Sequence, residues 1–172
     1  MKKFVSVIAV SLLLSACAST SGKGNTAQAG SQAAATNETQ AGALSQADID
    51  AQKLAEQLQA LKSQSVYFDH NSTAIKPEYE KVISQQVQFI KSHGGDSVTL
   101  EGNCDERGSD EYNLALGEKR AAAVRKELEL SGVAASQIKT VSFGEEKPRL
   151  TCHEEKCWKE NRRVDFDHKP NS

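Results

Sequence analysis

Residues 101–121 read EGNCDERGSDEYNLALGEKRA and contain the step from a strand to a long helix. Alternating apolar residues just before this stretch predict a strand over Ser97 to Glu101. Ser109 is a good N-cap, and the pattern after it predicts a helix from Ser109 to Ser131, with Gly132 as its C-terminal stop. The loop between the two elements is therefore expected to carry charged side chains at the end of a strand.

The segments on either side of residues 101–121 alternate between strand and helix patterns. Pro77 suits a first helical turn, and the helix it begins should stop at Gly94-Gly95. Apolar residues at a period of two predict three further strands: Ser65 to Asp69 (Val66, Phe68), one around Val141 and Phe143, and one around Val164 and Phe166. The order β-α-β-α-β-(β) predicts an α+β fold, a two-layer α/β sandwich in which helices cover one face of a mixed sheet.

The first 16 residues resemble a bacterial lipoprotein signal peptide. Lys2-Lys3 precede an apolar run from Phe4 to Leu14, and small residues then lead to Cys17. The run is too short to span a bilayer as a mature helix. We expect cleavage before Cys17 and lipidation of its thiol and new amine. An ordinary signal peptide with an incidental cysteine is the alternative.

A tether and a short helix are expected to separate this anchor from the folded domain. Residues 17–44 are rich in Ala, Ser, Thr, Gly and Gln and contain little to bury, so they predict a flexible linker. Residues 45–64 predict a short amphipathic helix, which either packs on the domain or pairs with another helix. The domain itself should span residues 65–169. All aromatic residues except Phe4 lie between Tyr67 and Phe166.

Composition excludes several classes of function. The formal net charge of the 172 residues is -2, and loss of the leader would remove two lysines, so nucleic acid is not an expected partner. Neither a Gly-x-Ser-x-Gly elbow nor a zincin or phosphate-loop pattern occurs, and no catalytic residues or cofactor are predicted. The sequence therefore favours a binding protein over an enzyme.

One acid and one base mark the candidate site. Asp105 lies in the loop that feeds the long helix, and Arg120 lies on the helix face that also carries Asn113 and Leu116. An arginine can hold a carboxylate through two parallel hydrogen bonds, while an aspartate accepts from an ammonium. The pair therefore suits a zwitterion, such as the free end of an amino acid. A structural salt bridge between Asp105 and Arg120 is the alternative.

The segment from Val66 to Phe166 resembles the OmpA-like peptidoglycan-binding domain family. The resemblance rests on five separated motifs: Phe68-Asp-His-Asn71, Glu101-Gly-Asn-x-Asp-Glu-Arg-Gly108, Tyr112-Asn-x-x-Leu-Gly-x-x-Arg-Ala121, Val141-Ser-Phe-Gly-Glu-Glu-Lys-Pro148 and Asn161-Arg-Arg163. Together with the leader, it implies a lipid-anchored member on the periplasmic face of the outer membrane. Ala18, in place of an Asp after the cysteine, agrees with that membrane.

The resemblance implies a ligand and a role for each site residue. The ligand would be the diaminopimelate of the peptidoglycan stem peptide, with its ammonium on Asp105 and its carboxylate on Arg120. Asn113 and Leu116 would line the pocket, and the loop with His70 and Asn71 would close it. Lipoproteins of this family also join the Tol system, which implies a TolB-like propeller protein as a second partner.

Two departures from the family pattern are visible. Many relatives have Phe-Asp-Phe-Asp where this chain has Phe68 to Asn71, so Asn71 brings no charge. Relatives often carry Thr at the position of Cys104, which we interpret as a buried small side chain.

The remaining cysteines suggest a crosslink. Cys152 and Cys157 enclose a short segment, and an oxidising periplasm favours a disulfide between them. A zinc site from Cys152, His153 and Cys157 is an alternative, although a second paired arm of ligands is missing. The competing function is accordingly a metal- or redox-active lipoprotein that uses Cys104, Cys152 and Cys157.

The pattern leaves the roles of three further residues open. Trp158 is interpreted as a core or loop anchor in preference to a platform for a sugar. Arg162 and Arg163 precede the last strand and are either surface charges or part of a partner surface.

Overall fold

The computed structural model describes residues 45–170, in which helices and strands alternate along the chain. Two one-turn 3-10 helices lie at Pro77–Tyr79 and Ala135–Gln137. The main elements are α1 Gln46–Lys62, β1 Ser65–Tyr67, α2 Glu80–Ser92, β2 Ser97–Asn103, α3 Asp110–Leu130, β3 Ile138–Gly144, α4 Glu155–Asn161 and β4 Arg163–Lys169.

The four strands form one mixed sheet in the order β1-β4-β2-β3. Strand β2 pairs in parallel with the edge strand β3, and β4 runs antiparallel to both β1 and β2. A parallel pair requires a crossover, which α3 supplies. The predicted α+β class and mixed sheet are confirmed.

Strand residues alternate between a buried apolar face and a charged face. Leu100 pairs with Phe166 across the β2–β4 register, and both belong to the core that includes residues of α2 and α3. On the other face, Glu101 pairs with Asp165. Those two carboxylates are balanced by Lys147 and Arg149 at 2.8 Å. The helices α2 and α3 thus cover one face of the sheet, while the opposite face is polar.

Capping signals in the sequence fix the ends of the two helices they precede. Ser45 caps α1 in a reciprocal capping box with Asp48, and the Ser109 side chain accepts from the Tyr112 backbone N–H at the start of α3. Gly132 follows α3 with φ of 89°, a conformation that a side chain would disfavour. Both predicted helix starts agree with the structure.

Helix α1 contacts the domain mainly at its C-terminal end. Leu61 is its one buried residue, and Leu54 and Leu58 are only half-buried. The Gln86 side chain donates to the Leu61 carbonyl at 3.0 Å, and Lys62 pairs with Asp167 at 3.1 Å. Packing on the domain, the favoured alternative, is therefore limited to the last turn.

The short helix α4 was not predicted. It has seven residues, of which only Cys157 and Asn161 are buried, so it shows no repeating apolar face. A helix of about two turns such as this one is specified by its tertiary contacts.

Two glycines allow α3 to lie directly on β2. A Cβ at Gly102 would overlap the backbone carbonyl of Gly117, and a Cβ at Gly117 would lie 3.0 Å from the Gly102 oxygen. Helix and strand therefore touch backbone to backbone. Because Gly117 lies one turn before Arg120, this close approach sets the height of the candidate site above the sheet.

We predict that Gly102→Ala lowers the free energy of unfolding by about 3 kcal/mol, because backbone atoms cannot yield to the added methyl group. Chemical denaturation followed by circular dichroism measures the change. The matched control is Gly94→Ala, whose methyl group meets no described atom within 4 Å. Equal stability of the two variants would contradict the close approach.

Candidate functional site

A cavity of about 230 Å³ opens at the carboxyl end of β2, beside the first turns of α3. The strand delivers Cys104 and Asp105 to its floor, and α3 contributes its buried face. All six ligand-binding residues predicted from the sequence line this cavity: His70, Asn71, Asp105, Asn113, Leu116 and Arg120.

Asp105 is a buried carboxylate held by two arginines. Arg107 reaches it with its backbone N–H and Nε at 3.1 Å and with Nη2 at 2.7 Å, and Arg162 Nη1 lies 3.0 Å away. Burial by itself would raise the pKa of Asp105, but hydrogen bonds from Arg107 and Arg162 outweigh it and lower the pKa to about 2. Asp105 is therefore ionised at neutral pH.

Arg120 is fully buried and donates mainly to backbone carbonyls. Its Nε bonds to the Ser72 oxygen at 3.0 Å, Nη2 to Asp69 at 3.1 Å and Nη1 to Asn103 at 2.9 Å. Nη1 also contacts the Cys104 sulfur at 3.3 Å. Among residues 45–170, no carboxylate lies within ion-pair distance of this guanidinium. Burial lowers the pKa of Arg120, but an arginine remains charged in a protein.

The structure differs from both arrangements that the sequence suggested for Asp105 and Arg120, an open pair ready for a zwitterion and a direct salt bridge. Asp105 pairs with Arg107 and Arg162 rather than with Arg120, so the alternative of a direct Asp105–Arg120 salt bridge is wrong. Asp105 is not unpaired either. Four of the five N–H groups of Arg120 already donate within the protein. One N–H is left for a ligand carboxylate, where two parallel donors were expected.

The loop after β1 forms the outer wall of the cavity. Its carbonyls at Asp69 and Ser72 are the ones that Arg120 holds, so the base and this wall form one unit. Asn71 adopts φ of 51°, a left-handed conformation that asparagine tolerates, and its side-chain oxygen accepts from the Tyr112 hydroxyl. His70 is exposed at the rim, with Nδ1 3.8 Å from the Asp105 carboxylate.

Asn113 holds the loop that carries the acid. Its buried amide nitrogen lies 3.2 Å from the carbonyls of Asp105 and Arg107 and 2.5 Å from a Glu145 oxygen. Leu116, one turn further along α3, supplies a half-buried apolar surface. Asn113 therefore positions Asp105, while Leu116 shapes the cavity.

Arg107 and Arg162 are the charged residues of the cavity that sequence reasoning missed. Arg162 is buried and donates to the Phe68 carbonyl at 3.0 Å and to Glu155 at 2.5 Å, as well as to Asp105. The Asn161-Arg162-Arg163 motif was the available signal. The motif does not indicate which arginine points inward, because that depends on how β4 pairs with the sheet.

Residues of helix α4 contact the loop that carries Asp105 on the side away from the cavity. Trp158 donates its indole N–H to Glu106 at 2.8 Å, and the Arg107 guanidinium lies 4.0 Å above the Trp158 ring. His153 also contacts Glu106, at 2.7 Å. Trp158 therefore anchors a loop, as its preferred interpretation from the sequence proposed.

Cys152 and Cys157 are joined by a disulfide, with Cα atoms 5.6 Å apart. Their sulfurs are then not available as thiolate ligands, which removes the zinc alternative with His153. No group of three metal-ligating side chains occurs within the described part of the chain. The disulfide closes the turn that begins α4.

Cys104 is a free, buried thiol that lines the floor of the cavity. Its sulfur contacts the Asn113 carbonyl at 3.2 Å and receives an N–H from Arg120. Burial raises the pKa of the Cys104 thiol, against the opposing charge of Arg120, so the thiol remains protonated. Its position agrees with a buried small side chain.

The predicted signal peptide (1–16), the lipidation site Cys17 and the linker (17–44) lie outside the described residues. Between residues 45 and 170, none of the helices is sufficiently long and apolar to cross a bilayer.

The fold and the pocket define a class of α+β domains with opposite charges beside the carboxyl end of a central strand. The sequence profile of the OmpA family matches residues 67–162, more than half of the chain. The chain therefore belongs to the OmpA family.

Two curated relatives are named peptidoglycan-associated lipoprotein. The one from Pseudomonas putida is 46% identical over 100 residues, which cover 58% of this chain and 60% of that protein. The one from Agrobacterium fabrum is 44% identical over 99 residues, which cover 58% of this chain and 56% of that protein. The match thus spans at most three fifths of these relatives.

Solved structures agree with this assignment. The crystal structure of the peptidoglycan-associated lipoprotein from Burkholderia pseudomallei is 46% identical, with a TM-score of 0.61 over 62% of this chain and 91% of that chain. The C-terminal domain of Helicobacter pylori MotB has a TM-score of 0.59 over 63% of this chain and 86% of that chain, at 21% identity. This second likeness shows the fold alone.

We predict that Asp105→Asn lowers stability at neutral pH but not in strong acid. Because the pKa of Asp105 in the folded chain is about 2, below its ordinary 3.8, ionisation stabilises the fold above pH 3.8, and that contribution is lost as the pH falls through 2. The wild type should exceed the variant by on the order of 1–2 kcal/mol at neutral pH, and the gap should close in acid.

Urea unfolding at several pH values measures this difference. The control is Asp50→Asn, which changes an exposed carboxylate on α1 and should alter the pH profile much less. A gap for Asp105→Asn that stays constant into strong acid would show that the Asp105 charge is not paired in the fold.

Proposed function

We propose that this chain is a non-catalytic outer-membrane lipoprotein that binds the diaminopimelate of peptidoglycan stem peptides. The observation that carries the proposal is the placement of Arg120, a buried arginine that has no carboxylate partner among residues 45–170, in the same small cavity as the ionised Asp105. The side-chain end of diaminopimelate has one ammonium and one carboxylate. It therefore matches both charges of the cavity.

The charge balance of the cavity favours a ligand that carries a carboxylate. Three arginines line it, at positions 107, 120 and 162, against the single aspartate Asp105. This surplus of positive charge occurs in a chain of net charge -2. A carboxylate would approach the remaining N–H of Arg120, and a small shift of the Asp69–Ser72 wall would release two further donors. Each charge-assisted hydrogen bond contributes about 1.5–3 kcal/mol.

The state of Asp105 supports binding rather than catalysis. A general base or acid works best when its pKa lies near the operating pH, whereas the pKa of Asp105 is about 2. Its four hydrogen bonds favour the ionised form throughout the neutral range. A permanent anion of this kind can hold an ammonium, but it is a poor proton carrier.

The name of the relatives, peptidoglycan-associated lipoprotein, supports both a lipid anchor and an attachment to peptidoglycan. A diacylglycerol and an acyl chain on Cys17 would fix the chain to the outer membrane on its periplasmic face, since more than one lipid chain gives a stable anchor. Residues 17–44 would span the distance to the cell wall. The chain would thereby connect the outer membrane to peptidoglycan and contribute to envelope integrity and division within a Tol-Pal system.

A TolB-like propeller protein is the second proposed partner. Tyr112 lines the cavity and is 47% exposed, and Leu114, two residues further along α3, is 52% exposed. A protein that covered them would also cover the wall site. Wall binding and propeller binding would then exclude each other.

We expect Asp105→Asn and Arg120→Lys each to weaken sedimentation with purified sacculi at least about tenfold. Asparagine removes the anion, and lysine cannot reproduce the planar set of donors of an arginine. These conservative changes are preferable to alanine, because removal of the Arg120 guanidinium would take its donor away from three backbone carbonyls.

The matched control is Arg125→Lys on the same helix, where the arginine forms an exposed pair with Glu129 at 2.7 Å. It should sediment like the wild type. Circular dichroism must show that each variant is folded. Wild-type sedimentation by Asp105→Asn would reduce the acid to a structural role and remove the proposal.

The second partner is tested by a pull-down from periplasmic extract with the lipid-free chain. Wall fragments and a propeller protein should both be recovered, and excess muropeptide should release the propeller because the two surfaces overlap. Recovery of wall fragments without any propeller protein would remove the Tol part of the proposal and leave the wall-binding part in place.

A further inference from the structure

The carboxylate of Asp105 has no hydrogen-bonding position left for an incoming ammonium. An ionised carboxylate accepts about four hydrogen bonds. Oδ1 receives two from Arg107, through its backbone N–H and Nε, and Oδ2 receives one from Arg107 Nη2 and one from Arg162 Nη1. A ligand cation can gain a full contact only if one of these donors leaves.

The donors differ in how firmly they are held. Arg162 is 5% exposed in its side chain and also bonds to the Phe68 carbonyl and to Glu155, so its removal would break the wall of the cavity. The Arg107 backbone N–H is fixed by the loop. By contrast, the Arg107 side chain is 33% exposed, and both of its hydrogen bonds go to Asp105.

The Arg107 side chain also has a second place to lie. Its Nη2 is 3.8 Å from a carboxylate oxygen of Glu155, which is 62% exposed, and its guanidinium rests on the Trp158 ring. A rotation of the side chain away from Asp105 would exchange one carboxylate for another and keep the aromatic contact. The movement would therefore leave no charge unpaired.

We infer that the Arg107 guanidinium occupies the ammonium subsite and acts as a built-in competitor that the ligand must displace toward Glu155. This inference rests on the proposed function and adds a specificity-determining residue to it. A ligand with a strong cation can take over the contacts with Asp105. A ligand without one cannot, so Arg107 selects for zwitterionic stem peptides.

The test is isothermal titration of the folded chain with two synthetic stem peptides. One carries meso-diaminopimelate with a free side-chain amine, and the other carries the same residue with that amine acetylated. Arg107→Gln should bind the free-amine peptide roughly three- to tenfold more tightly than the wild type, since nothing needs to be displaced. The affinity for the acetylated peptide should not improve.

Two further variants separate competition from other effects. Arg107→Lys keeps the charge but loses the two-nitrogen fork, so its affinity for the free-amine peptide should fall between those of the wild type and Arg107→Gln. Arg125→Gln makes the same charge change at an arginine of similar exposure, 37% in its side chain, and should match the wild type with both peptides. Thermal unfolding establishes that every variant is folded.

The outcomes distinguish this inference from the proposed function. If the wild type and all variants bind neither peptide, the proposed function fails, and the inference fails with it. If the wild type binds the free-amine peptide and Arg107→Gln binds it equally or more weakly, Arg107 is a ligand contact or a bystander, and only the inference is overturned. Equal tightening toward the acetylated peptide would also overturn it.

Discussion

The buried guanidinium of Arg120 is the interaction on which the rest of the site depends. A charge removed from water needs hydrogen-bond partners, and here the backbone carbonyls of Asp69, Ser72 and Asn103 accept three of the five N–H groups. The same bonds join the loop after β1, the end of β2 and the helix α3. Gly102 and Gly117 bring the same helix and strand into backbone contact close to these bonds. Local packing thus decides where the charge lies.

The acid is placed by a different part of the chain. Asp105 receives its fixed partner, Arg162, from the segment between α4 and β4, and the loop that carries it is held by Asn113 from inside and by Trp158 through Glu106 from outside. The disulfide between Cys152 and Cys157 closes the turn that leads into α4, the helix that carries Trp158. Residues far apart in sequence therefore converge on one carboxylate.

The sequence allowed the fold to be predicted wherever local rules dominate. Alternating apolar residues located β2 and β4, and Ser109 with Gly132 bounded α3 within a residue. Helix α4 was not predicted because seven residues give no periodic pattern. The six predicted site residues line one cavity, but the partners of Asp105 did not follow from spacing. Which arginine approaches a given carboxylate depends on rotamers and strand pairing, and these are set only in the folded chain.

Together these contacts show that the charges of the cavity proposed to bind a zwitterion already have partners within the protein. Two isolated buried charges would destabilise the fold strongly. The protein therefore supplies partners in place of a ligand: backbone carbonyls for the Arg120 guanidinium, and Arg107 with Arg162 for the Asp105 carboxylate. Binding is then an exchange of partners rather than an addition of new ones. The net gain is the difference between similar interactions, which predicts modest affinity for a single stem peptide. Under the proposed function, many copies of the chain would bind one polymeric wall, and the attachment would strengthen with the number of copies even at modest affinity for each.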